Sequence, residues 1–190
     1  MRLQEKPSLS ARLKQTTFES IDNWFSRKFL HRDISEIIVY LSVLCYALIF
    51  SYFTILKYNS FNAYAWDLGI FNQSLWTTLH GGKLFFNTVE QFINPSGVFL
   101  GIHFSPILLL VLPFYSLYSS PQTLLVFQSF ILGLGAIPLY FLAKRVLNVR
   151  LVAVVLSLVY LLYPPLHGIN WFDFHVQSFL PLFFFAQSTS

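Results

Sequence analysis

Acidic residues are scarce in most of this chain, so each one is a candidate for chemistry. After Glu36 the only ones are Asp67, Glu90 and Asp173. Four of the five histidines, His80, His103, His167 and His175, also follow Glu36. These residues fall largely into three clusters: Trp66-Asp67 with Asn72 and Gln73, then Gly101-Ile102-His103-Phe104-Ser105-Pro106, then Asn170-Trp171-Phe172-Asp173-Phe174-His175. An aspartate can take a proton from a hydroxyl or an amide, or hold a divalent cation. A histidine can relay a proton, ligate a metal or face a phosphate. Asp67, His103, Asp173 and His175 make an oxygen-and-imidazole set if the fold brings them together. Asp67, Asp173 and His175 are its candidate cation ligands. The spacing is not a zinc signature. The plainer alternative is that each histidine sits at an interface and hydrogen-bonds water, and that reading is preferred for His80 and His167.

The segment that must position Asp67 reads YAWDLGIFNQSLWTTLH, residues 64–80. Leu68, Phe71, Leu75 and Leu79 recur at spacings of three and four, a helical period. Asn72, Gln73, Thr77 and His80 fall largely on the other side. The segment is too short and too polar to span a bilayer, and such a helix usually lies in the interface with its apolar face down. Asp67 then stands in the first turn, where free backbone N–H groups favour a negative charge. The alternative is that Asp67 serves only as a helix cap.

Composition places these elements in a membrane. The 190 residues are 55% hydrophobic and 19% aromatic, with 22 Phe, and only 11% are charged. Soluble domains carry about a quarter charged residues. The fold class expected is therefore all-α, a polytopic helical membrane protein. The single cysteine, Cys45, excludes an internal disulfide or a cysteine metal site. The net charge of +4 is not a nucleic-acid signal, because the basic residues gather in the N-terminal tail and one short loop.

Charge bias then orders the segments. Residues 1–36 read as a cytoplasmic tail, in which 18–30 could form a short amphipathic surface helix; no cleavable signal is present. Residues 37–190 read as the membrane domain. Spans are expected at about 37–56, 123–143 and 151–163, with an incomplete one at 178–190. Outside loops fall at 57–122 and 164–177. Gly133, Gly135 and Ala136 offer a face for close helix approach. Residues 103–118 are apolar but interrupted by Pro106 and Pro113. If they crossed, Lys144, Arg145 and Arg150 would sit on the wrong side, so they read as a re-entrant or juxtamembrane helix. A true span with inverted loop charge is the alternative. The site residues all fall on the outer face of the cell membrane, with the N-terminus inside. The chain stops within an apolar segment, as a fragment of a longer protein would.

Three stretches carry a resemblance. WDLGIFNQSLW, then GIHFSPILLLVLPFYSLYSSPQTLLVFQSFILGLGAIPLYFLAKRVL, then YLLYPPLHGINWFDFH resemble domain-of-unknown-function family 2079, from about Tyr64 onward. That family is similar in layout to the GT-C superfamily of polytopic glycosyltransferases, whose first outside loop carries an acidic residue on a juxtamembrane helix. The resemblance implies a GT-C-like N-terminal bundle and a sugar donor on a polyprenyl phosphate. It implies Asp67 as the catalytic acidic position, although GT-C proteins often show two adjacent acidic residues where this chain has Asp67-Leu68. It places Asp173 where related enzymes often carry another acidic residue. His103 and His175 match the family's own pattern.

The expected function is therefore an inverting membrane glycosyltransferase. Asp67 is the base, and His103, Asp173, His175, Gln73 and Lys83 are the substrate-binding candidates. A divalent cation is the candidate cofactor, and membrane lipid and the lipid-linked sugar are the partners. The alternatives are a transporter or channel subunit, or a non-catalytic membrane protein. A transporter should show polar groups near mid-membrane. These spans read as apolar throughout, with the polar residues collected on one side.

Overall fold

The computed structural model describes residues 34–188. The amphipathic stretch expected at 18–30 lies outside the described residues, as does most of the 1–36 tail. Contacts divide the chain into two units, Met1–Ile37 and Ile38–Ser190. Of the first, only Ile34–Ile37 is described, as the opening turn of a helix. The architecture that follows is that of the second unit.

The described chain is helical, and its only β-pairing is an isolated bridge between Phe86 and Val98. Helix α1, Ile34–Asn59, has 26 residues. At 1.5 Å per residue that is about 39 Å, ample for the ~30 Å hydrocarbon core. Helix α2, Ala65–His80, is the segment carrying Asp67. Helix α3, Leu108–Leu117, has ten residues and contains Pro113. It measures about 15 Å, half of what a crossing requires.

Helices α4, Pro121–Leu134, and α5, Ala136–Leu147, run on as one candidate span, Pro121–Leu147. The break between them follows from Pro138, which lacks the N–H that would bond the carbonyl four residues back. Tyr160 covers the break, donating its hydroxyl to the Leu132 carbonyl at 2.8 Å. Helices α6, Arg150–Leu161, and α7, Pro164–Trp171, form a pair bent by 41°. The Pro164-Pro165 step ends the first and starts the second. The segment expected as an outside loop at 164–177 therefore opens with a helical turn. Helix α8, Leu180–Gln187, follows. Among the described residues two helices are long and apolar enough to cross a membrane, or three if the bent pair is one span.

Two apolar clusters hold the second unit together. One joins Leu68, Phe71 and Leu75 of α2 to Leu108 and Val111 of α3 and Leu124 of α4. The apolar face of α2 is thus covered largely by the chain's own helices rather than by lipid. The other joins Val43 and Tyr46 of α1 to Leu132, Ala136 and Tyr140 and to Ala153 of α6. A Cβ on Gly133 would stand 3.2 Å from the Tyr46 ring, so the small-residue face does receive a neighbouring helix.

The interior is not apolar throughout, contrary to the sequence-based expectation. Gln128, Ser129 and Asn170 are fully buried. Ser129 Oγ donates to Asn170 Oδ1 at 3.0 Å, and Asn170 Nδ2 donates to Tyr46 Oη at 3.2 Å. Away from water such groups persist only when paired with one another, and here they tie α1, α4 and α7 together.

Candidate functional site

Helix α2 starts on Tyr64, whose side chain supplies no cap. The Tyr64 N–H instead donates to Asp173 Oδ2 at 2.7 Å. A carboxylate at a helix N-terminus meets both the free N–H groups and the positive end of the dipole. That duty falls to Asp173, from 109 residues away, and not to Asp67. Asp67 makes no side-chain hydrogen bond among the described residues, and its carboxylate faces outward from the first turn, about one-third exposed. It is therefore not a helix cap.

Asp67 Oδ1 lies 3.6 Å from His175 Nε2. This is too long for a hydrogen bond but within the range of an ion pair were the imidazole charged. The other ring nitrogen of His175 is 3.0 Å from the Asp173 carbonyl oxygen. A carbonyl only accepts, so Nδ1 carries a hydrogen and donates it.

A second pair stands in the same cavity. His103 Nε2 is 3.6 Å from Glu90 Oε1. Glu90 is buried, at 5% exposure. Its Oε2 accepts from Asn87 Nδ2 at 2.8 Å, and its backbone N–H donates to Asn87 Oδ1 at 2.9 Å. Glu90 was visible in the sequence as one of three late carboxylates but carried no assignment. The scarcity that singled out Asp67 applies to it equally.

The loop holding Glu90 is fastened to the polar side of α2. Gln73 Oε1 accepts from the Thr88 N–H at 3.0 Å and from Thr88 Oγ1 at 3.1 Å. Thr77 Oγ1 donates to the Phe86 carbonyl at 2.7 Å. Gly97 closes the loop at φ +65°, and a Cβ there would lie 2.6 Å from the Phe86 ring. Only glycine fits both the dihedral and the space.

The two pairs border one cavity of about 280 Å³. Trp66, Asp67 and Phe71 come from α2, Glu90 and Phe92 from the 3₁₀ turn Val89–Phe92, and Phe99 from the turn Phe99–Gly101. His103, Ser105, His175 and Gln177 complete the polar lining. Trp66, Phe92 and Ile93 are largely exposed while lining it, so the rim is apolar. Aromatic faces beside carboxylate and imidazole groups suit a polyhydroxylated ligand: ring C–H groups meet the aromatics, and hydroxyls bond the polar atoms.

The remaining candidates lie elsewhere. Asp173 is fully buried in an ion pair, Oδ1 to Lys57 Nζ at 3.2 Å. Gln73 serves the Thr88 loop. Lys83 sets its ammonium 4.1 Å over the Phe86 ring, and among the described residues no lysine or arginine lines the cavity. His80 Nδ1 is 3.2 Å from the Trp76 carbonyl and stacks on that indole. His167 Nε2 is 2.6 Å from the Leu161 carbonyl. Neither lines the cavity. The three candidate cation ligands do not converge, since both Asp173 oxygens are engaged. Among the described residues no group of three or more His, Cys, Asp or Glu side chains is placed to hold a metal ion.

Residues 57–189 match the family described as "Predicted membrane protein (DUF2079)". The chain belongs to this family. The DUF2079 match contains every residue lining the cavity and both carboxylate–imidazole pairs. No curated protein and no solved structure matches the chain.

Proposed function

We propose that this DUF2079 chain carries part of a sugar-transfer site of the GT-C type, working on a polyprenyl-phosphate-linked donor at the outer face of the cell membrane. The observation that carries the reading is Asp67: a carboxylate with no backbone partner, facing His175 Nε2 in an aromatic-walled cavity among membrane helices. The layout adds to it, with an acidic residue on a helix in the loop after the first span, as does the length of α3, which is too short to cross.

In this reading the sugar enters the cavity and its lipid tail stays among the helices. The acceptor's O–H or N–H gives its proton to the Asp67–His175 pair. The freed electron pair attacks the anomeric carbon from the face opposite the phosphate. The bond from that carbon to the phosphate oxygen breaks, and its electrons leave with the polyprenyl phosphate, so the configuration inverts. General-base assistance of this kind contributes about 10²–10⁴ in rate. In this reading His103, more than half exposed at the cavity, is the imidazole that would face the departing phosphate.

Mass spectrometry of lipids retained by the purified full-length protein tests this reading. The expected result is a polyprenyl-phosphate sugar. Recovery of ordinary phospholipid alone, under conditions in which a known GT-C enzyme keeps its donor, would overturn it.

A further inference from the structure

Gln128 sits inside α4 with no exposure to solvent. It is an uncharged side chain with both a donor and an acceptor in a largely apolar helix, and it is not among the residues lining the cavity. All of its bonds go to one short stretch of backbone. Its Oε1 accepts the His175 N–H at 2.7 Å. Its Nε2 donates to the Asp173 carbonyl at 3.1 Å and to the Ile169 carbonyl at 3.2 Å. Only one orientation of the amide works, because a flip would set its oxygen against two carbonyls.

The Asp173 carbonyl therefore receives two hydrogens, one from Gln128 and one from His175 Nδ1. Lys57 Nζ holds the Trp171 and Phe172 carbonyls at 2.9 and 3.0 Å and Asp173 Oδ1 at 3.2 Å. The turn's backbone is thus held by two side chains, Gln128 and Lys57, and its Asp173 carbonyl sets the acceptor that His175 Nδ1 meets. With Nδ1 bound to an acceptor, the neutral ring leaves Nε2 without a hydrogen, aimed at Asp67.

We propose that Gln128 is a positioning residue that fixes His175 in the Nδ1–H form. Nε2 then faces Asp67 at the cavity with its lone pair free to take up the acceptor's proton. This deepens the sugar-transfer reading by naming the group that makes Asp67 and His175 act as one base, and it rests on that reading for its role in catalysis. The tautomer assignment itself does not depend on activity.

The experiment is ¹⁵N NMR of the full-length protein labelled at histidine, with the His175 signals identified by their loss in His175→Gln. The wild type is expected to show His175 Nδ1 protonated. Gln128→Met, which fills the same space without polar atoms, is expected to turn this into a mixture of tautomers while the His103 and His167 signals stay in place. If Gln128→Met does not fold, Gln128→Asn serves: it keeps the amide but withdraws it by about 1.5 Å, one C–C bond. The same mixture is expected. An Nε2–H form in the wild type, or an unchanged His175 in either folded variant, would overturn the proposal. Loss of the sugar-transfer reading with the tautomer result intact would leave the positioning in place and remove only its purpose.

Discussion

Asp67 and Asp173 show how neighbours decide what a carboxylate does. The two residues look alike in sequence, each beside aromatics in a chain with few acids. Asp173 has both oxygens taken, by Lys57 and by the Tyr64 N–H, and is closed to a ligand. Asp67 has neither kind of partner and is open to one. Lys57→Met should therefore leave a buried carboxylate short of its counter-charge and cost about 3–5 kcal/mol, the usual result of breaking a buried pair from one side. Pairing it with Asp173→Leu should recover only part of that loss, because the Tyr64 N–H then loses its acceptor. Thermal unfolding of the single and double variants in detergent reads the difference. Tyr115, beneath α2, donates its hydroxyl to Asn72 Oδ1 at 2.6 Å, and burial pushes its phenol up to about 12. A raised phenol stabilises the fold fully below the unfolded value near 10. That contribution fades as pH climbs from there to about 12. Tyr115→Phe should flatten the alkaline fall in stability over that window, measured as unfolding midpoint against pH.

Among the elements, α2 was the most legible. Leu68, Phe71 and Leu75 announced its buried face by spacing, and all three are buried. What spacing could not say was what would cover that face. An apolar stripe looks the same whether it meets lipid or Leu108, Val111 and Leu124. The polar side was legible as polar, but Gln73 and Thr77 are spent on the loop 85–90, because only the fold shows which backbone groups lack partners there. The loop itself, with Glu90 in it, left almost no periodic signal. Within it the backbone turns at Gly97, at φ +65°. Gly97→Ala would meet the Phe86 ring and demand a positive φ, for a cost of about 1–3 kcal/mol. Hydrogen exchange should show amides 85–99 opening faster in that variant while those of α1 keep wild-type protection.

For the whole molecule, composition was enough to give a helical membrane protein, because 11% charge leaves little else. Pairings across more than a hundred residues were out of reach: Lys57 with Asp173, Tyr64 with Asp173, Asn170 with Tyr46. These are the contacts that bring the 173–175 turn beside α2 and so place Asp67 opposite His175. Gln128 was in plain view within an apolar run, and its meaning depended on a turn 45 residues later. The central claim is that the resulting cavity transfers a lipid-linked sugar with Asp67 as base. The most direct measurement is the rate of sugar transfer by the full-length protein in membranes, wild type against Asp67→Asn, with insertion checked in parallel. The account predicts a fall of about 10²–10⁴-fold in the correctly inserted variant. Transfer at the wild-type rate by that variant would contradict it.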